Sequence, residues 1–261
     1  MKRFSNIFFG LVAASTSMFL FSCHNSPSGV ESKGNLYLHL HSNIDTNEID
    51  DGATLYPDGT GRHFSLSTAQ FYISNIVLKT VDGKSYSMAN VRIIKGIDSE
   101  IYYAGNAPIG TYNSITFDVG LDDAANSLTP GEFTVNSYLS NTDMWYGNTS
   151  QGYALMKLKG YADTTAAQSG TNLVRFSYTI GNTSHRKTIT MPVRGEGSYA
   201  TFAPIVVTAG GQGLFHITCD YAKVLAGVNF KTEDSTDTYN YMPGVADSIA
   251  GRFADMFEYE D

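Results

Sequence analysis

"NLYLHLH", Asn35 to His41, alternates without a break. Leu36, Leu38 and Leu40 fall on one side of an extended chain, and Tyr37, His39 and His41 on the other. A period of two with one wholly apolar side predicts a half-buried β-strand. The signature returns down the chain. "FSLSTAQFYISNIVLKTVDGKSYSMANVRIIKG", Phe64 to Gly96, reads as strand, turn, strand, with Asp82-Gly83 as the turn. "GTYNSITFDVGL", "GYALMKLKGYAD", "LVRFSYTIG", "HRKTITMPV", "YATFAPIVVT" and "GLFHITC" read as further strands. Gly, Asn, Asp and Pro punctuate them at short intervals. The expected fold is therefore all-β: a single antiparallel β-sandwich.

Helical signal is concentrated in the C-terminal part. Asp220 is placed to cap a short helix through "YAKVLAGV". In "MPGVADSIAGRFADMFEYE" the residues Val245, Ile249, Phe253 and Met256 or Phe257 form one stripe. Both segments are expected to pack on the sandwich as covers.

The N-terminus reads as a leader. Lys2 and Arg3 precede an apolar run from Ile7 to Phe21, too short and wrongly flanked for a mature membrane span. It ends Leu20-Phe21-Ser22-Cys23, which resembles a bacterial lipobox. By that resemblance residues 1–22 are a lipoprotein signal peptide and Cys23 becomes a lipidated first residue. His24 to Lys33 is a polar Ser/Gly/Pro linker, and residues 34–261 form one domain. The chain is then expected in the cell envelope, lipid-anchored to the outer membrane, periplasmic or surface-exposed. The absence of acids directly after Cys23 leans toward the periplasmic side.

The net charge is -8, with no basic block, which argues against a nucleic-acid partner. Cys23 and Cys219 are the two cysteines, so no internal disulfide framework is expected. Cys219 reads as a small buried strand residue. Enzyme signatures fail: there is no G-x-S-x-G, H-E-x-x-H or Cys-x-x-Cys. "VDGKS" lacks the first glycine of a phosphate loop and lies in a hairpin. "NIDTNEIDDG" is rich in oxygen donors, but Ile49 interrupts calcium-loop spacing, leaving a carboxylate-rich surface loop. No catalytic residue is assigned, and the protein is not expected to be an enzyme.

His39 and His41 are two apart on a strand, so their rings share a side about 7 Å apart. Copper or zinc could sit between them. A solvated polar strand face is the other reading. His216 and Cys219, an odd number apart, point to opposite faces and do not pair.

"FSLSTAQFYISNIVLKTVDGK" resembles the signature of the MbnP-like family, named for a periplasmic copper-binding protein associated with methanobactin. The Y-x-S-N-I-x-L core stands here as Tyr72 to Leu78. "LHLHSNID" is similar to the family's first strand, with a His followed by a turn. "IGTYNSITFDVGLDDAAN" and "GYALMKLKG" are similar to its next blocks, and "DYAKVLAG" and "ADSIAGRFADMF" to its C-terminal helices. The resemblance runs in order over nearly all of Asn35 to Phe257.

The resemblance implies a secreted or lipid-anchored β-sandwich that binds copper through histidines. It also implies a nearby tryptophan that a di-haem partner enzyme can oxidise to kynurenine. Here that implies His41 and His39 as metal ligands, with Trp145 and Met144, in "TDMWYGNTSQGY", near the site. The chain departs from the family pattern in three places. The two family tryptophan positions fall on Gly147 and Thr149. Thr179 stands where the family has a histidine. "MFEYED" supplies Glu258, Glu260 and Asp261 where many members end with one. Two functions are carried forward: periplasmic copper binding or handling, and a metal-free structural or partner-binding lipoprotein on the same scaffold.

Overall fold

In the computed structural model, the described residues are 32–88, 92–134, 137–192 and 204–259, the side chain of Pro192 excepted. The leader, Cys23 and most of the linker lie outside them, as do Glu260 and Asp261. Contacts divide the chain into Met1–Val30 and Glu31–Asp261, and the β-structure belongs to the second unit.

Among the described residues fifteen strands form along that unit: β1 (Lys33–Ile44), β2 (Asn47–Glu48), β3 (Tyr56–Pro57), β4 (His63–Thr80), β5 (Ser85–Ser87), β6 (Arg92–Lys95), β7 (Ile101–Pro108), β8 (Gly110–Val119), β9 (Met156–Asp163), β10 (Leu173–Ile180), β11 (Lys187–Pro192), β12 (Ile205–Val207), β13 (Gln212–Asp220), β14 (Ser235–Asp237) and β15 (Phe257–Tyr259). Three short helices interrupt them: α1 (Asp123–Asn126), α2 (Tyr221–Val224) and α3 (Pro243–Gly251). The smaller sheet runs β15-β13-β1-β2, with β7 on the same edge of β1 as β2. The larger runs β11-β8-β4-β9-β10-β14, with β3, β5, β6 and β12 on its flanks.

The leucine alternation of β1 does what the sequence predicts. Leu36, Leu38 and Leu40 are fully buried. They share one apolar core with Phe215 and Ile217 of β13 and with Phe64, Phe71 and Ile73 of β4. Both sheets thus bury a face in the same layer, as a sandwich requires. The Asp82-Gly83 turn also forms as read, with Gly83 at φ +87. Within β9, Gly160 passes so close to the Ser65 carbonyl that a Cβ there would stand 1.8 Å from the oxygen. Only glycine fits that approach.

Two pairings depart from a purely antiparallel sandwich. β1 runs parallel to β13, and β10 parallel to β14. Parallel neighbours need a long crossover, here almost the whole chain between β1 and β13. Asp220 caps α2 as expected, its Oδ1 accepting from the Ala222 amide at 2.9 Å. The C-terminal stripe is buried at Ile249, Phe253 and Met256, but not on one helix. α3 stops at Gly251, a 3-10 turn spans Phe253–Met256, and Phe257 opens β15, whose backbone bonds complete the edge of β13. No helix among the described residues is long and apolar enough to cross a membrane.

Candidate metal centre

β1 lies between β13 on one side and β7 and β2 on the other, so its outward side chains meet three neighbouring elements. The alternation that buries the leucines turns His39 and His41 outward. β13 has the same alternation: Phe215 and Ile217 point in, and His216 points out. The parallel register sets His39 directly opposite His216. Glu100 immediately precedes β7 and is held there by its carbonyl, which accepts from the Leu40 amide at 2.8 Å. Glu48 returns beside β1 through the Asn43–Glu48 pairing. The tight turn between them is made by Asp45 at φ +54, whose amide donates to the Asp220 carboxylate at 2.9 Å.

The rings are closer than the strand repeat implies. His39 and His41 have centroids 4.1 Å apart, because side chains lean along the strand as well as standing off it. His39 and His216 meet edge to face at 4.8 Å. His39 Nδ1 lies 3.2 Å from His216 Nδ1, and its Nε2 lies 3.2 Å from Glu100 Oε2. His41 Nδ1 is 3.0 Å from Glu48 Oε1 and 3.8 Å from Glu100 Oε1. Donating Nε2–H to Glu100 leaves the neutral His39 ring with its Nδ1 lone pair facing His216.

Two overlapping donor groups result: His39, His41 and His216, and His41, Glu48 and Glu100. The ligand atoms of each lie within 4.8 Å of one another. Two nitrogens bound to one ion at about 2.0–2.1 Å, at a tetrahedral angle, stand about 3.3 Å apart. The 3.2 Å between the His39 and His216 nitrogens matches that span. Partial burial pushes the Glu100 carboxyl up. Hydrogen bonds with His39 and Glu48 and the fields of His41 and His39 more than offset it, so its pKa lies below the usual value. An open cleft of about 530 Å³ meets the group, lined by Glu48, Asp50, Asp51, Asp98 and Glu100 among others. No lysine or arginine is among the described residues of that lining.

Met144 and Trp145 are placed elsewhere. Tyr72 of β4 points away from the shared core, opposite to Phe71 and Ile73. The segment carrying Met144 covers it there, on the outer side of the larger sheet. Met144 is fully buried in this second cluster with Leu121, Leu139 and Tyr153, and Trp145 packs half-buried on Tyr153 with centroids 4.8 Å apart. The lone tryptophan is thus the lid of a satellite core, while the histidines sit on the smaller sheet. Thr179 lies near that lid, its carbonyl 3.5 Å from the Tyr146 hydroxyl. Glu258 pairs with Lys223.

His216 is the residue that sequence reasoning passed over. Its alternation in "GLFHITC" marks the polar face of a strand, but only the β1–β13 pairing says which strand lies alongside. Glu48 lies in the carboxylate-rich "NIDTNEIDDG", read only as a surface loop, and Glu100 carries no local mark beyond its charge.

The fold and this group define a class: an all-β sandwich with a candidate cation site on the outer face of its smaller sheet. The MbnP family model matches residues 33–243, and the chain belongs to that family. A solved structure, MbnP from Methylosinus trichosporium, is similar, with 14% identity over 74% of this chain and 77% of that one, and a TM-score of 0.49. No curated protein matches the chain.

Proposed function

We propose that this protein binds copper in the cell envelope, as a lipid-anchored carrier and not as a catalyst, through His39, His41 and His216. The convergence of three imidazoles from two strands carries the reading. Imidazole suits copper, and affinity comes from several convergent nitrogen donors, which a single surviving histidine would not supply. Membership of the MbnP family supports the same cargo, and the lipobox-like Leu20 to Cys23 supports the anchor. The site differs from the pattern implied by family resemblance: His216 supplies the extra imidazole, while Thr179 and Glu258 stand where that pattern has histidines.

Copper titration of the unit Glu31–Asp261, with metal analysis, tests it against a His39→Ala/His41→Ala/His216→Ala variant. Stoichiometric binding lost in the variant is the expected result. Binding that survives all three substitutions places the copper elsewhere. No binding by the parent leaves the metal-free, partner-binding lipoprotein as the function of this scaffold.

A further inference from the structure

We infer that His41, Glu48 and Glu100 form a second cation site, for a divalent ion of the Zn(II) type, beside the imidazole group. Beyond His41, which the two groups share, the donors are distinct from those facing His216. Glu100 turns one oxygen, Oε2, to His39 and the other, Oε1, toward His41. Glu48 Oε1 approaches the same His41 nitrogen from the opposite hairpin arm, at 3.0 Å. One imidazole nitrogen and two carboxylate oxygens therefore converge from β1, β2 and the start of β7.

The chemistry of this group differs from that of its neighbour. Three imidazoles offer soft or borderline nitrogen only. One imidazole with two carboxylates offers harder donors and two negative charges, which suit a divalent ion and disfavour Cu(I). The position also suits entry. Glu48 and Glu100 form one wall of the cleft that Asp50, Asp51 and Asp98 continue, so a cation approaches through a field of one sign. This site stands whether or not the imidazoles take copper.

The experiment is a double dissociation on the unit Glu31–Asp261, which holds its own core, using Zn(II) alone and Cu(I) alone with competing chelators. Glu48→Gln/Glu100→Gln keeps the shapes and removes the charges; both side chains are about half exposed, so the fold is not at stake. It should weaken Zn(II) at least about 10-fold more than Cu(I), because Zn(II) loses its own ligands and Cu(I) only the partner that orients His39. His39→Ala/His216→Ala should do the reverse. Zn(II) binding unchanged by the glutamine pair, or abolished by His39→Ala/His216→Ala, would overturn the second site. Equal loss of both ions in the glutamine variant would also overturn it, reducing the carboxylates to supports for the rings. Loss of Cu(I) binding in every protein, parent included, would strike the copper reading and leave the zinc result to stand by itself.

Discussion

At the scale of single residues, Cys219 separates packing from chemistry. It lies opposite Ser42 on the buried side of the β13–β1 pair, with no exposed surface. Burial pushes its thiol up to about 12, against the smaller opposing pull of the Lys95 ammonium. The nucleophile is the thiolate, so a thiol reagent at pH 8 should leave the native unit Glu31–Asp261, whose one thiol is Cys219, unmodified over hours and label it completely once unfolded. Rapid native labelling, followed by absorbance or intact mass, would contradict this environment. Here the sequence was enough: an apolar alternation places Cys219 inside. For the candidate metal group it was not. The strand period shows that His39 and His41 share a side, but the third imidazole is His216, 177 residues from His39. Its arrival depends on a parallel register that no local pattern encodes. Lys95 was equally illegible. It is fully buried with its ammonium donating to Ser42 Oγ and to the Gly96 and Ser99 carbonyls, and nothing in "RIIKG" announces that.

At the scale of elements, most strands were legible because each carries its own alternation, whereas the contacts that seat the helices were not. The clearest case is the Asp58–Arg62 turn. The Asp58 carboxylate is buried and accepts from the Thr60 and Arg62 amides, both at 3.0 Å, and from the Arg62 guanidinium at 2.6 Å. The same guanidinium donates to the carbonyls of Val228 at 2.8 Å and Leu225 at 3.2 Å, just beyond α2. One side chain thereby satisfies a buried anion and the open end of a short helix. Burial pushes Asp58 up, but the Thr60 and Arg62 hydrogen bonds outweigh it and its pKa is lowered. A depressed carboxylate adds stability above its unfolded value near 4, and that stability is lost as pH falls below it. Arg62→Leu should therefore cost about 2–3 kcal/mol at neutral pH, since Arg62 is itself partly exposed. Its acid unfolding, followed by circular dichroism, should begin at higher pH than the parent's. An unchanged acid midpoint would mean that Thr60 and the backbone amides hold Asp58 without the arginine. The C-terminal cover shows the converse limit. The apolar stripe gave Ile249, Phe253 and Met256 as buried, with Val245 only partly so, but the break after Gly251 frees Phe257 to Tyr259 to join β13 as a strand, an edge bond that a helical period cannot foretell.

At the scale of the whole molecule, the candidate donor group draws on parts of the chain far apart in sequence. β1 begins the described chain, β13 and β15 come near its end, and β2 and β7 lie between. His39, His41 and His216 converge only when the smaller sheet is complete, so an ion held by them binds the native state and has little purchase on the unfolded chain. Mass action then fixes the size of the effect: free ion at 100 times its Kd adds about 2.7 kcal/mol to stability. For a unit of this size that is about 5–10 °C in Tm. The shift should appear in calorimetry of the parent and vanish in His39→Ala/His41→Ala/His216→Ala. Hydrogen exchange locates the tie more sharply. Because the imidazoles come from both partners of a parallel pair, metal should slow exchange in β1 and β13 together. Protection confined to β1 and the Asn43–Glu48 hairpin would mean that the ion sits on local donors alone, and that the distant strand, with His216, takes no part in holding it.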